Sequence, residues 1–385
     1  MNLHEYQSKA RFAEFGIPVL PGKAASTPQQ VYEIARELGG KVVIKAQIPT
    51  PDRGKIGGIL FAENSEQAET LANSLLGSVI NGLIVRKVLV NPTVEIRQEM
   101  YLGITNDRAT CKPMLVASRE GGRNIIEVAR ENPELIVRDA INPCIGLRDY
   151  QIRGIASSID LANEHWKHFL KITHDLYACY ATSDAILAEI NPLAITQDNR
   201  LLALDSKLVI DDNALYRHTD LAEMYDSDGE SGQEARARAA GVSYVELEGQ
   251  IGCIANGAGL AMTTIDIIHL YGDGAVKPAS FLDIGGGAQS ATVATALEIM
   301  LEDPQVQVVL LNIFGGITRC DEVSRGILQT LGKIQTKIPL IVRLAGTNAT
   351  SALQMIDDAG HPNVTSAATL TEAARKAITA VQETN

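Results

Sequence analysis

From Gln250 onward one pattern recurs five times, and that recurrence restricts the fold more than any other feature of the chain. A short aliphatic run is followed by a turn and then by a stretch with helical periodicity. The strands are expected at Ile251 to Ala255, Ala279 to Asp283, Val306 to Asn312, Pro339 to Leu344 and Val364-Thr365. The helices are expected to end near Tyr271, to cover Gln289 to Leu301, Asp321 to Leu331 and Ala349 to Ala359, and to finish near Gln382. Successive βα units of this length predict an α/β fold, a doubly wound parallel sheet of flavodoxin-like size.

Glycines follow four of those strands. They stand in Asn256-Gly257-Ala258-Gly259, Gly285-Gly286-Gly287, Gly315-Gly316-Ile317 and Gly346-Thr347-Asn348. All four loops fall at the carboxyl ends of strands, the edge where open parallel sheets bind ligands. Each opens into a helix whose first amides lack partners and carry the positive end of the dipole. The ligand expected there is anionic: a phosphate, a pyrophosphate or a carboxylate. Neither G-x-G-x-x-G after the first strand nor G-x-x-x-x-G-K-[ST] occurs, so a nucleotide would bind by another route.

The first half has a different rhythm. Helical stretches at 3–14, 28–38 and 65–76 alternate with strand-like runs at Lys41 to Lys45, Val85 to Val90, Glu95 to Leu102 and Pro113 to Ala117. Ser26-Thr27-Pro28-Gln29 reads as a helix start, with Ser26 as the hydroxyl cap. Ala185 to Ile190 and Leu201 to Leu204 flank a turn at Gln197 to Arg200, which predicts a hairpin. Hairpins beside helices predict α+β architecture. The polar segment 226–249, with Asp226-Ser227-Asp228-Gly229, reads as a linker between the halves 1–225 and 250–385.

Composition excludes several classes of function. The net charge of -12 argues against a nucleic-acid surface, and no apolar run is long enough to span a membrane. The opening Met1 to Gln7 carries an acid early and no apolar core, unlike a secretory leader. Five cysteines, an odd number without C-x-x-C, fit reduced thiols in a cytoplasmic protein.

Candidate site residues cluster in the first half. Lys45 ends a strand, and Arg53-Gly54-Lys55 lies on a glycine-rich stretch able to fold over a polyphosphate. Asn191, in Glu189-Ile190-Asn191-Pro192-Leu193, and Asp205 end adjacent strands and are hard oxygen donors suited to Mg²⁺. Asn191 also suits a turn before proline, and Asp205 a strand-end cap. Glu99 reads from its context as a solvated strand charge. His4, His165, His168, His174 and His218 read as surface residues.

Together these motifs resemble the β subunit of ADP-forming succinyl-CoA synthetase, the succinate–CoA ligase family, over essentially the whole chain. The match is carried by Asn2-Leu3-His4-Glu5-Tyr6-Gln7, Glu189 to Leu193, Asn256 to Met262, Phe281 to Gly287 and Asn312 to Ile317. The resemblance implies an N-terminal ATP-grasp domain in two subdomains over 1–225 and a flavodoxin-like CoA-ligase domain over 250–385. It implies that Lys45, Arg53, Gly54 and Glu99 touch the nucleotide, ATP or ADP, and that Asn191 and Asp205 hold Mg²⁺. It further implies that Glu189 helps position a phosphohistidine, and that Asn256, Gly316, Ile317 and Thr318 line the site for a small dicarboxylate. In the family, phosphate passes to a histidine, the phosphohistidine forms an acyl phosphate, and the CoA thiol displaces phosphate. The C-terminal half has only His269, mid-helix, and His361, at the wrong sheet edge. The phosphorylated histidine is therefore expected on another chain, the α subunit of the family, facing the helix N-terminus after Gly316.

Five positions depart from the family pattern. Pro51-Asp52 replaces Gly-Gly before Arg53, and Asn91 aligns with a nucleotide-contacting glutamate. Thr318 replaces valine, and Ala345 replaces glutamate. Asp52 and Asn91 predict weaker nucleotide binding, consistent with a weakly active regulatory paralogue. A hydroxyl at Thr318 suggests a hydroxy-acid, making a malate–CoA ligase the alternative to succinate.

Overall fold

A computed structural model describes residues 1–48, 55–225 and 232–384. The chain divides into two compact units, Met1–Gly229 and Glu230–Asn385.

The first unit holds two larger antiparallel sheets and a two-stranded one, Val79–Ile80 with Leu83–Ile84. In the four-stranded sheet the order is Lys23–Ala25, Val88–Pro92, Val42–Ala46, Ile59–Ala62. Alternate residues of a strand face opposite sides. Val42, Ile44, Ala46, Val88 and Val90 therefore pack on the helices Pro28–Glu37 and Ser65–Leu75, through Val31, Ile34, Ala35, Ala68 and Ala72. Lys45 and Asn91 lie on the other face. The cap of Pro28–Glu37 is Thr27, not Ser26. Its hydroxyl accepts from the Gln30 amide while the Gln30 side chain accepts from the Ser26 amide, so the reciprocal box is shifted by one residue.

The second sheet runs Leu201–Ala203, Ala185–Thr196, Ile96–Asp107, Lys112–Ser118, Ile136–Ala140, with Ser206–Ile210 also paired to Ala185–Thr196. Met100, Leu102, Ile104, Ala188, Ile190, Leu208 and Ile210 pack on the helices Asp149–Ser158 and Trp166–Thr182. The expected hairpin needs correction. The strand does not stop at Ile190 but continues to Thr196, and only its far end, Leu193 to Ile195, pairs with Leu201–Ala203. Ala185 to Ile190 pairs with Ser206–Ile210 instead. Pro192 has no N–H to give to the ladder, and the register against Ile96–Asp107 shifts between Ile190 and Leu193.

The second unit has one sheet, ordered Ser243–Glu246, Pro278–Asp283, Ile251–Ala255, Val308–Gly315, Leu340–Gly346, Val364–Ser366. The last five strands are parallel and follow the flavodoxin-like order. Ser290–Glu302, Cys320–Lys333 and Ala349–Ala359 cover one face; Ala258–Tyr271 and Leu370–Thr384 cover the other. Within the segment expected as a linker, 232–249 belongs to this unit. Gly232–Ala239 is a helix whose Ala237 joins the core, and Ser243–Glu246 pairs antiparallel with Pro278–Asp283. An exposed edge strand buries little of itself, so its composition reads as polar. Residues 226–231 lie outside the described residues.

Among the histidines, His165 departs from the surface reading. It is 2% exposed, lies against Arg97 and Glu164, and is held below the ordinary imidazole range chiefly by burial. All five cysteines are free thiols. No helix among the described residues is long and apolar enough to cross a membrane.

Candidate functional site

The residues expected to serve the nucleotide assemble on two sheet faces of the first unit. On the six-stranded sheet the core takes the even residues of Ile96–Asp107, leaving Glu99, Tyr101 and Gly103 on the opposite face. Register places Glu189 opposite Gly103 on one side and Lys207 on the other. The interruption at Asn191-Pro192 falls opposite Leu204-Asp205, since Ile190 pairs with Ser206, Leu193 with Ala203, and the Leu204 amide donates to the Pro192 carbonyl at 3.1 Å. Asn191 and Asp205 thus meet across a broken ladder, not at two strand ends. Glu189, Asn191, Asp205 and Glu99 share a face with Tyr101.

Glu189 is half-buried. The Tyr101 hydroxyl and the Asn191 amide (3.4 Å) both donate to it. Burial pushes its carboxyl above the ordinary glutamate range, and Asp205 adds to that; Lys207 opposes it. Burial and the neighbouring Glu189 also push the Tyr101 hydroxyl up, so it stays a donor.

A loop that the sequence reading passed over closes this face. The Gly122 amide donates to Asn191 Oδ1 at 2.8 Å, and Asn191 Nδ2 donates to the Arg123 carbonyl at 2.9 Å. Glycine is required at both positions of Gly121-Gly122. A Cβ on Gly121 would stand 2.4 Å from the Met100 carbonyl oxygen, and one on Gly122, at φ +71°, would stand 2.5 Å from a Glu99 carboxylate oxygen. A glycine pair directly after the strand Lys112–Ser118 was the available signal.

Lys45 extends from the other sheet. Its ammonium donates to Glu5 Oε1 at 2.7 Å and to the Leu204 carbonyl at 3.1 Å, the residue before Asp205. Glu5 also pairs with Lys9 at 3.2 Å. Burial, then the charge of Lys45, lower the Lys9 ammonium to about 8. Asn91 is wholly buried and its side chain is fully used. It accepts from Lys9 at 3.2 Å and donates to the Leu20 and Pro21 carbonyls at 3.4 and 2.7 Å. Arg53, Gly54 and the departing Asp52 lie outside the described residues. Spacing alone shows Glu5 and Lys9 as an ordinary i,i+4 helix pair; that both are buried, and that Glu5 also holds Lys45, depends on residues far along the chain.

In the second unit the glycine loops meet at the carboxyl edge of the sheet. Asn256 forms a pair of bonds with the Phe314 backbone: Nδ2 donates to its carbonyl at 2.9 Å and Oδ1 accepts from its amide at 2.8 Å. Thr318 is wholly buried, and its hydroxyl oxygen accepts from Asn256 Nδ2 at 3.2 Å and from the Gly287 amide at 3.1 Å. The hydroxyl therefore joins three loops. Gly316 and Ile317 are open, Ile317 being 84% exposed.

Some of the amides expected to await an anion are already taken. Asp283 Oδ1 accepts from Gly257 at 2.6 Å and from Gly285 at 2.8 Å, a role the sequence reading did not assign. Gly315 and Gly346 are the last residues of their strands. Their backbones approach so closely that a Cβ on Gly346, at φ +96°, would stand 2.1 Å from the Gly315 carbonyl oxygen. Asp321, in the first turn of Cys320–Lys333, is held well below the usual carboxylate range by Arg319, Asn348 and Arg325. His269 is exposed late in Ala258–Tyr271, and His361 precedes Val364–Ser366 at the amino edge. Neither reaches the glycine loops' edge.

Comparison with known proteins adds the following. The ATP-grasp domain family model matches residues 2–195, and the CoA-ligase family model matches residues 254–380. A succinate–CoA ligase [ADP-forming] subunit beta of Roseiflexus sp. (strain RS-1) is 49% identical over 383 residues, covering 99% of this chain and 100% of that protein. The subunit beta 2 of the same enzyme from Archaeoglobus fulgidus is 44% identical over 385 residues, covering all of both chains. The solved structure of ATP citrate lyase from Methanothrix soehngenii, in complex with citrate and coenzyme A, shares the fold. It has a TM-score of 0.74 at 17% identity and covers 99% of each chain.

Proposed function

The chain belongs to the family of ADP-forming succinate–CoA ligase β subunits, and from that premise we propose how its residues divide the work of joining succinate to coenzyme A. The observation that carries the proposal is the convergence of Glu99, Glu189, Asn191 and Asp205 on one sheet face, with Lys45 reaching the carbonyl beside Asp205.

Lys45, Glu99, Arg53 and Gly54 bind the nucleotide. Asn191 and Asp205 fit Mg²⁺: both offer hard oxygens and stand opposite each other across the ladder. Mg²⁺ ordinarily takes one or two carboxylates and completes its shell with phosphates and water. When bound, the ion would neutralise charge between the phosphates. Glu189, its carboxyl held above the ordinary range by burial and oriented by Tyr101 and Asn191, positions the incoming histidine at the phosphoryl group.

That histidine belongs to a partner α subunit. Its N–P bond forms as the bond to the nucleotide diphosphate breaks. The succinate carboxylate then takes the phosphoryl group, and the CoA thiol displaces phosphate to give the thioester. Asn256, Gly316, Ile317 and Thr318 line the acid's site. The Thr318 hydroxyl already accepts two protein hydrogen bonds, which favours succinate over a hydroxy-acid. Asn91 is committed to the protein's own backbone and to Lys9, so it acts in packing and not in nucleotide contact. The setting is cytoplasmic, with reduced thiols.

Thioester formation tests this. The chain is assayed alone and mixed with its α partner, with Mg-ATP, CoA and either succinate or malate. Turnover only in the mixture, with succinate preferred, is expected. Turnover by the chain alone would overturn the divided site, and a preference for malate would overturn the acid assignment.

A further inference from the structure

The reaction as described leaves a buried ion group unused. Glu5 and Lys9 lie one turn apart on the first helix, Glu5–Glu14, with side chains 1% and 6% exposed. One oxygen of Glu5 stands 2.7 Å from the Lys45 ammonium and 3.2 Å from the Lys9 ammonium. Lys9 is also bonded to Asn91 and Lys45 to the Leu204 carbonyl. Two buried cations thus draw on one carboxylate, and the field of Asp205 also reaches Lys9. Taking ions out of water is costly unless each is compensated, so the strength of each pairing depends on the others.

We propose that Glu5 is a positioning residue that sets how strongly Lys45 engages the nucleotide's phosphates, and that Lys9 tunes it by sharing the same carboxylate. This rests on the reading that Lys45 contacts the nucleotide. Glu5 holds the Lys45 ammonium beside Leu204-Asp205 and competes with phosphate oxygens for its charge. Neutralising Glu5 leaves two buried ammoniums short of negative charge, and a polyphosphate supplies it. Removing the Lys9 charge leaves more of the Glu5 charge to Lys45 and weakens the phosphate's hold. The two substitutions therefore act in opposite directions on affinity. A role confined to holding the first helix in place would weaken or spare nucleotide binding in both.

The test is calorimetric titration of Mg-ATP into the complex of this chain with its α partner, for wild type, Glu5→Gln, Lys9→Met and Lys45→Met, with thermal unfolding of each. Glu5→Gln is expected to unfold at a lower temperature yet bind Mg-ATP about threefold tighter or more, and Lys9→Met to bind about threefold weaker, shifts of the size that a partly screened charge pair produces. Lys45→Met is expected to bind at least about tenfold weaker. Unchanged or weaker binding by Glu5→Gln, while Lys45→Met loses affinity, overturns the proposal and leaves the Lys45 contact standing. Unchanged binding by Lys45→Met overturns that contact itself. If Glu5→Gln does not fold, Lys9→Met decides: affinity equal to wild type overturns the proposal.

Discussion

At the scale of single residues, chemistry here depends on which partners a side chain already has. Asp205 is placed by a break in a ladder. Asp205→Ala is expected to abolish Mg²⁺-dependent nucleotide use while the unfolding temperature stays close to wild type; retained turnover in a coupled assay would refute the metal role. Thr318→Val removes an acceptor from the Gly287 amide and from Asn256, at an expected cost of about 1–2 kcal/mol in denaturant unfolding. The ratio of kcat/KM for succinate over malate is expected to stay as it is, because the hydroxyl faces the protein. A change of that ratio in Thr318→Val would show that Thr318 reads the acid. Lys9 carries a pH signature. Its folded pKa is lowered to about 8 from 10.5, so the unfolded chain holds more protons between those values and stability rises with pH across that window. Below about 8 the contribution is flat. Lys9→Met is expected to lose the rise, as read from urea midpoints measured from pH 7 to 10.

At the scale of elements, the readable parts were those whose residues answer to their near neighbours. The helix Pro28–Glu37 was legible from proline and capping residues, although Thr27 and not Ser26 took the cap. The five βα units were legible because the inner strands are buried on both faces and each helix on one. Strand ends were less so: Gly315 and Gly346 complete their strands because their backbones pack on each other. Gly346→Ala is expected to cost more than about 1 kcal/mol, since the residue needs a positive φ and its Cβ meets a carbonyl oxygen. The measurement is chemical unfolding of the C-terminal unit; an unchanged midpoint would refute the close approach. The strand Ser243–Glu246 was hidden inside a polar stretch because an edge strand leaves most of its surface to water.

At the scale of the whole molecule, the proposed function assigns the nucleotide to the first unit and the acid to the second. Mg-ATP is expected to slow hydrogen exchange in Val42–Ala46, Ile96–Asp107 and Ala185–Thr196, and to leave the six-stranded sheet of the C-terminal unit unchanged. Protection appearing only in the C-terminal unit would reverse the assignment of the nucleotide. The family is one of β subunits, so a partner subunit is expected to complete the site.

The sequence by itself determined the order of the elements, the parallel sheet with its glycine edge, and the family, because periodicity, turn residues and long motifs are local properties of a chain. It also marked Lys45, Glu189, Asn191, Asp205, Asn256 and Thr318 as residues to watch. Only the tertiary structure decided what each of them touches. Glu5 reaches Lys45 across 40 positions, the Gly121-Gly122 loop reaches Asn191 across 69, and Asp283 reaches Gly257 across 26. Such contacts are fixed by strand register and by the burial of charge, and neither is written in the spacing of residues along the chain.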